Sequence, residues 1–511
     1  MSFHLFANEK LNLWLSGCFL LACLHVNADE PKSRRTQAIK YDGRKERKEE
    51  VRQSRDRNMS QRRTEDRPTL DDRLRRLLIK NGVEEMDSPK QNPIRVELGQ
   101  ALFFDRILSG NRDTACATCH HPLTATADGL SLGVGTGTET LGSVSLFRIR
   151  GEGRSFVPRN APDLFNRGSE KWHTVFWDGR VSVEDGVVRS PAGDQLPSEL
   201  VTPMQIQAMF PVTSRDEMRG DLEDVQYGNE LAAIDDADFI GIWDALMARL
   251  LANETYQELF ARAFPEVPEH ALGFQHAAIA LAAFEAEAFG MTDSPFDQYL
   301  AGDSAAMTKE AKRGATIFYG NANCSSCHSG TLLTDQQHHN LAVPQLGPGK
   351  DPVSGLDFGR FGITGAPSDL FKFRTPSLRN VTATGPWMHN GAYSNLEDVI
   401  RHHLDPEDSL DDYDPYQQLF QSDLWDLVVQ DKDLNEWILE SFEEDLESDD
   451  RGNDEEDDDD DQSRSLSPKQ IRLLIAFLDS LTAPDLQERL HWIIPTSVPS
   501  GLLEDGIPEV D

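Results

Sequence analysis

Residues 114–122 read TACATCHHP and residues 323–330 read NCSSCHSG. Each stretch sets two thiols at i and i+3 with a histidine directly behind the second. On one turn of chain such thiols can add to the two vinyl groups of one haem, and the histidine then reaches the iron from the proximal side. A thioredoxin-like pair does not explain a histidine after both motifs and wants a βαβ setting. A four-cysteine zinc site joins two CxxC pairs closely, whereas these lie 208 residues apart. The reading is therefore two covalent haem c groups, on Cys116, Cys119 and His120 and on Cys324, Cys327 and His328.

A haem can serve as a wire or as a catalyst. A wire wants both irons six-coordinate and shielded; a catalyst wants one open face and a group that moves protons. From Pro122 to Val157 there is neither His nor Met. The loop after the first motif thus offers no strong sixth ligand, which favours an open first haem unless a distant residue such as His173 folds back.

The chain has six cysteines. Cys18 and Cys23 fall in the apolar run 11–28, which follows Lys10 and ends in Val26-Asn27-Ala28. That pattern reads as a secretory signal cleaved near Ala28, hence a periplasmic protein. A lipoprotein-like box, LSGC at 15–18, is the rival. The other four cysteines all belong to the two motifs. No later stretch is long and apolar enough to span a bilayer, so no transmembrane anchor is expected.

The motifs need elements to hold them. The lead-ins 93–105 and 307–320 both read as amphipathic helices, with starts at Pro93 and Thr308. Each carries a Gly four residues before a Phe, Gly99/Phe103 and Gly314/Phe318, which hints at a duplicated unit. Residues 69–82, 235–264, 273–289 and 467–482 also carry helical signals. Ser467, Pro468 and Gln470 give the last a capping-box start. Strand signals are scarce and the loops 122–170 and 329–386 are long. The expected fold is mostly α, with two cytochrome c-like haem domains, long loops and few short strands. Its parts are a charged disordered linker (29–68), an N-terminal haem domain (69–292), a C-terminal haem domain (293–485) and a Pro-rich surface tail (486–511). The C-terminal domain is read with an acidic disordered insertion at about 406–465. Residues 443–461 alone hold 14 acids and one Arg, and the whole chain has a net charge of −37, which argues against nucleic acid as a partner.

Beyond the haem motifs, LGQALFFDRILS (98–109), PRNAPDLFN (158–166), FWDGR (176–180), SPFDQYLAGD (294–303), CSSCHSG, FRTPSLRNVTATGPWMHNGAYSNLEDV (373–399) and LLIAFLDSLT (473–482) run in one order. In these stretches the chain resembles the bacterial di-haem cytochrome c peroxidase family, across residues 92–404 and 466–483. The resemblance implies reduction of hydrogen peroxide to water with electrons from a small cytochrome or cupredoxin. The first haem would be the peroxidatic one and the second would receive electrons. The family's Gln-x-x-x-Pro…Glu-Met pattern falls on Gln207, Pro211, Glu217 and Met218. Glu217 becomes the acid–base carboxylate with Gln207 beside it; Glu199, in a stretch that looks inserted, is the runner-up. Trp177 matches the tryptophan between the haems. Asn160, Thr384 and Pro386 match the places that bind calcium, a hard cation suited to oxygen ligands.

One place departs. Where well-known members carry Met as second ligand of the electron-receiving iron, ungapped counting reaches His403. His402 and Met388 are the other candidates. The resemblance leaves room for a homodimer. The rival readings are a di-haem oxidase or maturation enzyme acting on a partner protein, and a plain electron-transfer protein.

Overall fold

Two helix crossings organise the protein, and a glycine lies at the centre of each. In the computed structural model, which describes residues 68–448 and 465–502 together with 505, 506 and the isolated positions 47 and 52, the Pro93–Phe104 helix packs on Phe274–Ala288. The Lys309–Phe318 helix packs on Pro468–Asp479 in the same way. A Cβ at Gly99 would lie 2.0 Å from the carbonyl oxygen of Ala280, and one at Gly314 would lie 1.8 Å from that of Leu473. Only glycine lets the backbones approach this closely. Its helix-interior penalty, about 1 kcal/mol, is offset by the packing it permits. One turn on, Phe103 meets Phe284 and Phe318 meets Phe477, each pair with ring centres 5.1 Å apart. The repeat seen in the lead-ins is thus a repeat of helix pairs.

The starts follow local chemistry. Asn92 accepts from the Ile94 and Arg95 amides ahead of Pro93. Thr308 accepts from Ala311, and Ser467 and Gln470 form the capping box read from sequence. The 235–264 stretch divides into Phe239–Leu251 and Glu254–Ala263, with Asn253 capping the second. The architecture is mostly α. Strands are short: Thr174–Val175, Val181–Glu184 and Val187–Arg189 form an antiparallel sheet, and His338–His339 pairs with Phe373–Arg374. The long loops are held by buried arginines. Arg148, for example, donates to the carbonyls of Val134 and Gly135 and to the Thr114 hydroxyl.

Three expectations about organisation are corrected. First, the described residues from 68 onward fall in one compact unit, and a boundary at 293 does not separate its cores. The capped Leu70–Lys80 helix buries Leu74 and Leu78 with Phe296, Phe318 and Phe477 in the second core. Second, the tail does not merely cover a surface. Its Leu486–His491 helix puts Leu486 and Leu490, followed by Val498, into the first core. Third, residues 406–448 carry the helices Pro406–Asp411, Pro415–Gln418 and Lys432–Ser448 rather than one disordered insertion. Leu410, Leu419, Leu424 and Ile438 are buried; these few apolar anchors suffice because the acids between them face solvent. The densest part of the acidic block, the signal-like run and the basic linker up to Arg67 lie outside the described residues, apart from positions 47 and 52. No helix among the described residues is long and apolar enough to cross a membrane.

The crossings yield a prediction. Gly314→Ala should lower the unfolding midpoint well beyond the ~1–3 kcal/mol typical of an overpacked core, because the added carbon meets backbone rather than a side chain that can move. Thermal or denaturant unfolding of the holoprotein measures it, with the solvent-exposed Ala305→Gly as control.

Candidate functional site

The first CxxCH forms a single turn, Cys116–Cys119, at the foot of the Pro93–Phe104 helix. His120 Nδ1 lies 3.0 Å from the Thr126 carbonyl, which engages that nitrogen and leaves Nε2. Cys116, Cys119 and His120 line one cavity of about 1330 Å³ including its open mouth. Burial pushes the His120 imidazole down, keeping a lone pair available.

The opposite sequence signals converge on the same space. Gln207, at the end of the Pro203–Gln207 helix, Pro211, Glu217 and Met218 all line it. Glu217 sits in one turn of π-helix, Arg215–Arg219, a geometry often kept for function. Two loops hold that turn from both sides. The Thr136 amide donates to the Glu217 carbonyl at 3.0 Å, and the Gly110 amide donates to the Met218 carbonyl at 2.7 Å. Gly135 makes this possible, since a Cβ there would lie 1.9 Å from the Asp216 carbonyl oxygen. Glu199 is exposed and lies outside the cavity wall. His173 is also absent from that wall and faces Glu184 at 3.5 Å. His120 is the only histidine in the lining, which Met204 and Met218 also join.

Asn160 and Trp177 line the cavity too. The Trp177 indole donates to the Asn160 carbonyl at 2.9 Å, and its own carbonyl accepts from the Arg374 amide at 2.7 Å. Trp177 therefore stands where the first cavity meets the strand pair that follows the second motif. The Asn160 side chain donates to the Leu130 carbonyl. Thr384 and Pro386, in the turn after Val381–Ala383, are not part of this cavity.

At the second motif, Cys324–Ser326 is a 3-10 turn. His328 Nδ1 lies 3.2 Å from the Leu333 carbonyl. Across from it stands His403, on the Leu396–Leu404 helix, whose Nδ1 lies 2.8 Å from the Val399 carbonyl. The two ring centres are 6.5 Å apart. Two imidazoles on one metal, with nitrogen–metal bonds of about 2 Å and about 1 Å from nitrogen to ring centre, would stand about 6 Å apart. Burial, and secondarily His403, push His328 down to about 4, so the ring is neutral. His402 differs: Tyr393 Oη meets its Nδ1 at 3.0 Å and the Leu341 carbonyl its Nε2 at 2.7 Å, so both nitrogens are engaged. Met388 packs in the cluster around Tyr393 and Val399. Of the three candidates, the arrangement favours His403.

Both motifs thus fit a haem: paired thiols on one turn, and a half-buried imidazole with one nitrogen engaged. Sequence reasoning missed several wall residues. Glu285 lies in the first cavity with Oε2 unpartnered, and burial pushes its carboxyl up to about 8. Arg180, Lys350 and Arg374 complete the wall. The last two come from segments more than 200 residues along the chain from Cys116, which no local spacing reveals.

The imidazole pair predicts that His403→Ala abolishes the low-spin bis-imidazole signature of the second ferric haem, while His402→Ala keeps it. Electron paramagnetic resonance and near-infrared magnetic circular dichroism of the oxidised holoprotein distinguish the two.

Residues 93–305 match the family model described as di-haem cytochrome c peroxidase. The chain is 32% identical to methylamine utilization protein MauG of Methylorubrum extorquens over 63% of its own length and 72% of that protein. It is 30% identical to cytochrome c551 peroxidase of Pseudomonas aeruginosa over 60% of its length and 70% of that protein. A crystal structure of a MauG-like protein associated with microbial copper homeostasis is 24% identical, covering 80% of this chain and 95% of that one with a TM-score of 0.49. The chain belongs to the di-haem cytochrome c peroxidase family.

Proposed function

We propose that the protein reduces hydrogen peroxide to water in the periplasm, drawing two electrons from a small cytochrome or cupredoxin. The observation that carries this reading is that Glu217 and Gln207, from separate segments, line the same cavity as Cys116, Cys119 and His120. When bound, the two haems supply the redox chemistry. His120 would hold the first, and His328 and His403 would hold the second.

The chain's own residues do the rest. The Glu217 carboxylate takes a proton from one peroxide oxygen and returns it to the other, which then leaves as water. The Gln207 amide can both donate and accept, so it orients peroxide beside that carboxylate. The loops at Gly110 and Thr136 keep the Glu217 turn from drifting. Trp177 bridges toward the second motif through Arg374. Calcium at Asn160, Thr384 and Pro386 belongs to this reading as a structural cation, held through an amide oxygen and backbone carbonyls. A bis-imidazole second iron lacks the thioether that raises potential, so the electron donor would be more reducing than one serving a His/Met haem.

Peroxide turnover by the calcium-loaded holoprotein with a reduced small cytochrome tests the proposal. Glu217→Gln should cut kcat by roughly 10²–10⁴-fold, the usual contribution of a positioned proton carrier, with both haems still in place. Turnover that survives the variant removes Glu217 from its role. A wild type without turnover leaves a di-haem oxidase of a partner protein or an electron-transfer protein. In a parallel measurement, a calcium chelator should lower turnover and added calcium restore it.

A further inference from the structure

One buried carboxyl in the wall of the first cavity has no task in the chemistry above. Glu285 is 6% exposed and lines the cavity with Leu281, one turn earlier on the same helix. Its Oε2 has no hydrogen-bond partner among the described residues. Three features of the fold oppose a charge there. The group is cut off from water, which costs an unpaired carboxylate far more than a neutral acid. It sits in the last turn of the Phe274–Ala288 helix, where the free carbonyls form the negative end of the helix dipole. The cation that faces it, Arg167, is already used. Arg167 donates to the Asp163 carbonyl at 3.2 and 3.1 Å and lies over the Trp172 ring at 4.2 Å.

The position is fixed by packing. The helix end is pinned against Gly168, where an added Cβ would lie 2.3 Å from the Ala286 Cβ. Glu285 therefore stays near the first motif, where burial and, second, Glu285 push the Cys116 thiol up to about 12. The elements around it bring few ionisable groups to this wall. The first motif brings its two cysteines and His120, and the segment 163–167 brings Asp163 and Arg167. The Pro93–Phe104, Pro203–Gln207 and Phe239–Leu251 helices, which pack on this helix, bring none. Burial outweighs Arg167 and pushes the Glu285 carboxyl up to about 8.

Peroxide, two electrons and two protons give two waters. Glu217 shifts a proton that peroxide itself brings, so the other two must enter with the electrons. A cavity that gains an electron loses one positive charge, and a carboxylate in its wall then holds a proton more tightly. We infer that Glu285 is the proton partner of an electron entering the first haem: with each electron taken from the reduced carrier protein its carboxylate takes one proton from water, and it releases that proton when the electron leaves. The inference rests on the reading that the first cavity holds a haem, and it deepens the proposed function.

The test uses the holoprotein and two readouts. In spectroelectrochemical titration the first-haem midpoint should fall as pH rises through neutrality, by up to about 59 mV per tenfold change in proton concentration. Glu287→Gln, at an exposed acid of the same turn, should keep that slope, and Glu285→Gln should flatten it. Reduced-minus-oxidised infrared spectra of the wild type should gain the carbonyl band of a protonated carboxyl. That band should move in heavy water, vanish in Glu285→Gln and change frequency in Glu285→Asp, so the Asp variant decides if the Gln variant does not assemble. A wild type without the band, a band unmoved in Glu285→Asp, or a slope in Glu285→Gln equal to wild type overturns the inference. The slope and the band in a protein that does not turn over peroxide uphold the inference and remove the peroxidase reading. A wild type holding one covalent haem by pyridine haemochromogen assay overturns the cavity reading and the inference together.

Discussion

Close backbone contact at Gly99 and Gly314 is the constraint on which the molecule depends. Each glycine lets a lead-in helix lie directly on its partner, and each helix precedes a CxxCH turn in the chain. The position of both thiol pairs is therefore set by two backbone-on-backbone crossings. Aromatic pairs at 5.1 Å lock each crossing one turn further along. Everything built on the motifs, including the cavity and the facing imidazoles, inherits its geometry from there.

The cavity itself draws on long loops as much as on helices. Loops cannot satisfy their backbone groups by themselves, and here they do so against one another and against buried arginines. The Glu217 turn shows the principle. Its carbonyl and that of Met218 are used by two loop amides, so the Glu217 carboxylate sits on irregular chain without being free to wander. The wall draws on both halves of the sequence, with Lys350 and Arg374 reaching the space beside Cys116 and Cys119.

Much of this was legible in the sequence where the signal was local. Caps at Asn92, Thr308 and Ser467, the Gly/Phe repeat and the CxxCH turns each follow from neighbouring residues. The convergence of Gln207 and Glu217 on the first motif was legible only through the family resemblance, because a lone Glu among 87 acidic residues carries no pattern. The insertion misled for a physical reason. Its charge density suggests a solvated chain, while the few buried leucines that fold it are spaced too widely to stand out. The crossed placement of the ends was illegible, since the Leu70–Lys80 helix and the tail show only that each has an apolar face, not which core receives it. His402 and His403 are adjacent on one helix, and only the partners of their ring nitrogens separate them.

That crossing of the ends bears on the order in which the protein is completed. Ser500 bonds to Asp105 across 395 residues, Gln100 to the Ile493 carbonyl across 393, and Thr118, inside the first haem motif, to Asp505 across 387. Contacts so distant in sequence close late and slow folding. The half that is made first thus acquires its final packing only when the last residues return to it, and the cavity beside Cys116 matures after the part of the chain that follows it.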